Sequence, residues 1–179
     1  MKKITFLLVF IFAISANAQE INWMTFEQAI AAQKKNPKKI MIDAYTKWCG
    51  PCKMLDRNTF HNPDLVAYVN KNYYAVKFNA EGNETINFKE KTFGNPNFDP
   101  NKSGRNSSHQ LAGYYSVRAY PTILFLDEKS DFIGPLVGYK TPKQLELFLK
   151  VFKNDDYKNI KTKEEFQKYS SNFTYKFKE

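Results

Sequence analysis

KWCGPCK, residues 47–53, holds the only two cysteines of a 179-residue chain, three positions apart. A structural staple, half of a metal site and a redox couple all use this spacing. A structural zinc needs four ligands; Cys49 and Cys52 supply two, and His61 and His109 are not an adjacent ligand pair. Covalent haem attachment needs histidine directly after the second cysteine, where Lys53 stands. A bridge across so short a loop removes little chain entropy, so it makes a weak staple. The redox reading has positive support. Residues i and i+3 share one helix face, close enough to be bridged without rebuilding the backbone. At a helix N-terminus, free N–H groups and the macrodipole stabilise a thiolate, which favours Cys49 as the attacking residue. Cys52, one turn inside, is expected to be shielded and to act second, while Pro51 stiffens the bend at a position where the helix can spare an N–H.

The compartment is read from the other end of the chain. MKKITFLLVFIFAISANAQE opens with Lys2 and Lys3, continues with an apolar run from Ile4 to Ile14, and reaches the small-residue sequence Ala16-Asn17-Ala18. This pattern predicts a secretory signal peptide over 1–18, cut after Ala18, and an exported protein, most naturally in a Gram-negative periplasm. The apolar run is too short to span a bilayer, and no cysteine follows the cleavage site to carry a lipid. The formal net charge of +9 falls to about +7 without the leader. The lysines are scattered rather than grouped in a stripe with stacking aromatics, so nucleic acid is not an expected partner; stable membrane insertion is not expected either.

Between these landmarks, hydrophobic periodicity and turn chemistry order the elements. INW reads as a short edge strand, and TFEQAIAAQKK as a helix with Thr25 and Gln28 at capping-box spacing. KIMIDAYT (39–46) is a buried strand that runs straight into the cysteine motif and its helix. Asn62-Pro63 starts another helix, and 73–80 is again a strand. A polar stretch, 81–106, reads as a long loop, of the kind that is either functional or disordered. SSHQLAGYYSV reads as a short helix. YPTILFLD and FIGPLVGYK read as an antiparallel pair, and Thr141-Pro142 caps an amphipathic helix with Leu145, Phe148, Leu149 and Phe152 on one face. The tail, 153–179, holds one more helical stretch around KEEFQKYS; docking on the sheet, dimerisation and a free tail are equally compatible with it. The expected class is α/β, with a mixed sheet of four or five strands and helices on both faces.

At this point the chain resembles the thioredoxin family. Trp48-Cys49-Gly50-Pro51-Cys52-Lys53 is that family's active-site motif. Asp43, six residues before Cys49, falls where the family carries a buried aspartate, and Lys77 where it carries a neighbouring lysine. Tyr120-Pro121-Thr122 resembles its cis-proline loop, and Gly138 the glycine after its final strand pair. The resemblance spans about 38–152 and implies a thioredoxin-like domain over 19–152, interrupted at about 81–106 and followed by an extension. The Tyr before proline is also similar to protein disulfide isomerase domains, which usually carry His where Pro51 stands.

What the resemblance implies for each residue has a plainer alternative. Asp43, its pKa raised by desolvation, would take the proton from Cys52 through a water; the alternative is an exposed strand-end carboxylate. Lys77 would tune Asp43, or is a surface lysine. Cis-Pro121 would expose the Tyr120 backbone to a substrate strand, whereas a trans edge proline would not. Trp48, with Gly50 and Pro51, would form a substrate-facing platform, or Trp48 belongs to the core. Asp99, Asn101, Ser103 and Gly104 mimic the start of a calcium loop, but Lys102 and Arg105 intrude and Gln110 stands where a bidentate Glu is needed. His61 and His109 are expected at the surface or as caps. The resulting expectation is an exported thiol–disulfide oxidoreductase without metal or cofactor. It would reduce protein disulfides and draw electrons from a membrane-borne donor. A disulfide oxidase or isomerase, and a non-catalytic binding or chaperone module, are the alternatives.

Overall fold

Strand β2 (Lys39–Tyr45) lies at the centre of a five-stranded sheet and is buried along nearly its whole length. This computed structural model describes residues 20–178, so the leader read in 1–18 lies outside the described residues. β2 pairs in parallel with β3 (Tyr73–Asn79), which pairs in turn with the short β1 (Trp23–Met24). On its other side β2 pairs antiparallel with the strand Thr122–Leu126, whose outer neighbour is Phe132–Val137. A strand covered on both faces reads as a continuous apolar run, which is why KIMIDAY shows no polar alternation.

Alternation nevertheless sorts the side chains between two cores. Ile40, Ile42 and Ala44 join Val76 and Phe78 under helix α1 (Phe26–Lys35), which starts at the expected Thr25–Gln28 capping box. Met41, Ala75, Ile123 and Phe125 face the other way. They pack with Leu55 of α2 (Gly50–Asn58), Leu65, Val66 and Val69 of α3 (Pro63–Asn72), and Leu145 and Leu149 of a later helix, Pro142–Lys153. Asp43 shares the parity of Met41, and Lys77 that of Ala75; the two are register partners on neighbouring strands. Pleat and register therefore deliver both charged groups to the side on which α2 begins.

The stretch 81–106 departs from the expected loop. It contains a hairpin, β4 (Ile86–Phe88) and β5 (Lys91–Phe93), turned by Lys89 and Glu90 at φ 47° and 62°. Ile86, Phe88 and Phe93 are buried in the α1-side core, with the Phe88 ring 5.0 Å from that of Phe26. The hairpin was hidden because its turn lacks the Gly or Asn that left-handed residues favour, and its strands are three residues long. After it come α4 (Gln110–Tyr114), the sheet strands β6 (Thr122–Leu126) and β7 (Phe132–Val137), helices α5 (Pro142–Lys153) and α6 (Lys163–Ser171), and a final extended segment.

Two buried charges fasten the periphery. The Lys39 side chain is fully buried at the start of β2, with its ammonium 2.8 Å from Glu128 and 2.9 Å from Asp155. Burial opposes its charge, but the two carboxylates outweigh that and raise its pKa. Glu146, fully buried on α5, accepts the backbone N–H groups of Lys176 (2.8 and 2.9 Å) and Phe177 (2.8 Å), and pairs with Lys150. The C-terminal segment thus lies on α3 and α5, not on the sheet, and Phe177 packs against Tyr68 at 5.7 Å. Glu146→Ala is expected to release residues 172–178 and to cost about 1–3 kcal/mol, because three partly buried hydrogen-bonding groups, the N–H groups of Lys176 and Phe177 and the Lys150 ammonium, lose their acceptor. Limited proteolysis with mass spectrometry and urea unfolding read the two effects.

Candidate active site

The chain leaves β2 at Tyr45, crosses Thr46, Lys47 and Trp48, and enters α2 at Gly50, so the cysteines sit at the carboxyl end of the central strand. Cys49 is the N-cap of α2. Its Sγ lies 3.1 Å from the Cys52 backbone N–H, which donates to it, and its own N–H donates to Thr46 O at 3.2 Å. Cys49 and Cys52 form a disulfide, with Cα atoms 5.3 Å apart. Pro51 stands in the first helical turn, where a missing N–H leaves no hole in the ladder.

Cys52 is buried, and in the bridged state so is Cys49: the residues are 6 % and 2 % exposed. Cys52, not Cys49, lines a cavity of about 230 Å³ together with Asp43, Tyr45, Thr46, Lys47, Lys53, Asp56 and Lys77. The parity of β2 puts Asp43 beneath α2, so the space opens under the second sulfur. What distinguishes Cys49 is the N–H group aimed at its sulfur.

Asp43 is buried, and burial pushes its carboxyl up to about 6, against the opposing pull of Lys77. Lys77 Nζ lies 3.1 Å from Asp43 Oδ2 and 2.5 Å from Asp56 Oδ1, so a single ammonium serves two carboxylates. Lys77 also lies over the rings of Trp23 (4.7 Å), Phe60 (5.2 Å) and Tyr45 (5.4 Å), which hold its stem in place. Asp43 Oδ1 and Thr46 Oγ1 have no protein hydrogen-bond partner among the described residues, and both residues line the cavity. The site therefore offers unspent acceptor capacity beside Cys52.

The loop before β6 meets the motif through Tyr120 and Trp48. The Tyr120–Pro121 peptide is cis, and Pro121 O accepts the N–H of Gly138 at 2.8 Å. Gly138 has φ 82°, a left-handed backbone that favours glycine. Trp48 is 37 % exposed, and neighbours hold it on three sides. Its Nε1–H donates to Glu81 Oε2 at 2.8 Å, the Arg105 guanidinium lies 4.3 Å above its ring, and Tyr120 meets it edge-on at 6.1 Å. The N–H of Asn106 donates to the same Glu81 oxygen at 2.9 Å.

The structure brings together Cys49, Cys52, Asp43 and Lys77 around one end of α2, with Trp48 held against Tyr120 beside them. Sequence reasoning missed Asp56, Thr46, Glu81 and Arg105. Asp56 had a usable signal: it lies one turn beyond Cys52 on the same helix face. Glu81 and Arg105 had none, because the fold of 81–106 brings them to Trp48. His109 is not a surface residue. It is buried, caps α4 by accepting the Leu111 N–H at 3.1 Å, lies 2.8 Å from Glu84 O and packs edge-on against Phe78.

Comparison with known proteins agrees with this architecture. The model of the thioredoxin-like domain matches residues 26–153. A thioredoxin-fold protein from Helicobacter pylori superposes with a TM-score of 0.59 at 22 % identity, covering 76 % of this chain and 82 % of that one. A candidate disulphide-isomerase from Bacteroides thetaiotaomicron gives 0.51 at 26 % identity, covering 77 % and 94 %. In sequence, the thiol:disulfide interchange protein DsbD of Photorhabdus laumondii is 28 % identical over 120 residues. That match takes in 66 % of this chain but spans only 17 % of DsbD's length. The chain belongs to the thioredoxin-like family. Among the described residues, no helix is long and apolar enough to cross a membrane.

Proposed function

We propose that this chain is an exported thiol–disulfide oxidoreductase that reduces protein disulfides through a Cys49–Cys52 dithiol/disulfide cycle. The observation that carries the reading is the Cys52 N–H aimed at Cys49 Sγ at the start of α2. Such a donor, with the helix dipole behind it, favours the thiolate that performs exchange. In the reducing direction the Cys49 thiolate attacks a substrate disulfide and expels one substrate sulfur as a thiolate. Cys52 then loses its proton to Asp43 across the cavity and displaces the second sulfur, leaving the enzyme disulfide. Two electrons pass to the substrate, whose two sulfurs leave as thiols. Lys77, shared between Asp43 and Asp56, sets how readily Asp43 takes that proton. Cis-Pro121 leaves the Tyr120 backbone free to align a substrate strand beside Cys49, with Trp48 as the facing platform.

The relative's description as a thiol:disulfide interchange protein supports this class of activity, and the leader pattern over 1–18 supports export to a periplasm. There the regeneration of the dithiol needs a donor of reducing equivalents, which we place in the membrane. Equilibration of the protein in glutathione redox buffers, followed by alkylation shift, tests the reading. A Cys49–Cys52 potential near about −270 mV supports a reductase, and one near about −120 mV makes it an oxidant. A pair that does not cycle at all removes the enzyme reading.

A further inference from the structure

The rim of the cysteine pair carries cations with nothing to bind. Lys47 and Lys53 are exposed, line the cavity beside Cys52, and make no ion pair among the described residues. Arg105 is exposed and lies over Trp48, and among the described residues this ring contact is its only side-chain interaction. The neighbouring carboxylates are already engaged. Glu81 accepts from Trp48 and Asn106, while Asp43 and Asp56 share Lys77. A guanidinium lying over an aromatic ring through its cationic carbon can still offer N–H groups, and these match a carboxylate's two oxygens.

We infer that Arg105, with Lys47 and Lys53, selects disulfides carried in acidic segments. This substrate class rests on the oxidoreductase reading above. As a substrate strand lies along Tyr120 and over Trp48, a flanking Asp or Glu meets the guanidinium edge while the neighbouring sulfur meets Cys49. Arg105 belongs to the 81–106 stretch, which the Asn106 N–H ties to Glu81 and so to Trp48. Specificity and platform are thereby built into one unit. The chemistry is the exchange already described: the reduced pair gives two electrons to the acidic segment's disulfide and is itself oxidised.

Two synthetic peptides test this, each closed by one disulfide and identical except for Asp or Lys on either side of the attacked cysteine. The protein is reduced with dithiothreitol, freed of it, and mixed with each peptide in single turnover. Each rate is referred to that of the same peptide with 2-mercaptoethanol, which removes the peptide's own reactivity. The acidic peptide is expected to react about tenfold faster at low salt, with the ratio shrinking toward one near 1 M salt. Arg105→Glu, its fold checked by circular dichroism, is expected to erase or invert the ratio, and Arg105→Lys to keep part of it. Equal rates in the wild type overturn the inference and leave the oxidoreductase reading standing. An unchanged preference in Arg105→Glu also overturns it. If neither peptide is reduced, both readings fall.

Discussion

Cys49→Ser is expected to abolish disulfide exchange, with a loss of at least about 10³-fold, because no other thiolate stands at the start of α2. Cys52→Ser is expected to do something different. Cys49 still attacks, but the mixed disulfide has no resolving thiol and persists, so a non-reducing gel shows the enzyme joined to its substrates. The contrast between the variants is the informative result, since loss of fold would remove both behaviours together. Serine differs from cysteine only in oxygen for sulfur, and circular dichroism should show both variants folded. If Cys49→Ser traps adducts instead, the order of attack is reversed and the N–H aimed at Cys49 is not what activates the pair.

Asp43→Asn is expected to stabilise the oxidised protein at pH 8 by up to about 3 kcal/mol. Burial raises the native carboxyl to about 6, against roughly 4 in the unfolded chain. Each pH unit of that difference corresponds to about 1.4 kcal/mol. The direction follows from linkage. The native state holds its proton more tightly, so its advantage is complete below about pH 4 and is lost as the pH rises through 6. Asparagine does not titrate and escapes the loss, while Lys77 keeps Asp56 and is not orphaned. Urea unfolding at pH 4 and pH 8 should therefore show little difference between wild type and variant at the lower pH and a clear one at the higher. The same variant is expected to slow the resolving step, because Cys52 loses its proton acceptor. A stability gain that persists undiminished at pH 4 would mean that packing, not charge, explains it.

Much of this molecule was legible before its structure. The central strand, the two proline-started helices, the Thr25–Gln28 capping box and the final strand pair announce themselves by local chemistry. A capping residue and its partner three positions on are a short-range signal that tertiary context rarely overrides. The link between Asp43 and Lys77 came from the family resemblance, and the register of β2 and β3 supplies its physical reason. What stayed hidden is what non-local packing creates. The Ile86–Phe93 hairpin exists because Phe26 and the α1-side core receive its apolar residues, and Lys89-Glu90 gives no turn signal of its own. Arg105 looked like an intruder in a failed calcium loop, and its place over Trp48 follows from the fold of the whole stretch. The burial of Cys49 beside Cys52 was likewise not legible from the sequence. Helix position predicts which sulfur is activated, but the packing around it determines which sulfur a cavity reaches.

The pairing of Lys39 with Glu128 and Asp155 has a consequence at the other end of β2. Hydrogen bonding to Lys39 leads the interactions that hold Asp155 below the usual carboxylate range, so that contribution to stability fades as the pH falls through its native pKa. Asp43, four residues along the same strand, works in the opposite sense and weakens the fold as the pH rises toward 6. The strand is thus acid-labile at its anchored start and base-labile at its reactive finish. One contribution to stability is lost at low pH through Asp155, the partner of Lys39, and another is lost as the pH rises through Asp43, further along β2. Acid weakens the contact between Lys39 and the turn after α5, whereas rising pH puts a charge on the buried Asp43 beside Cys52.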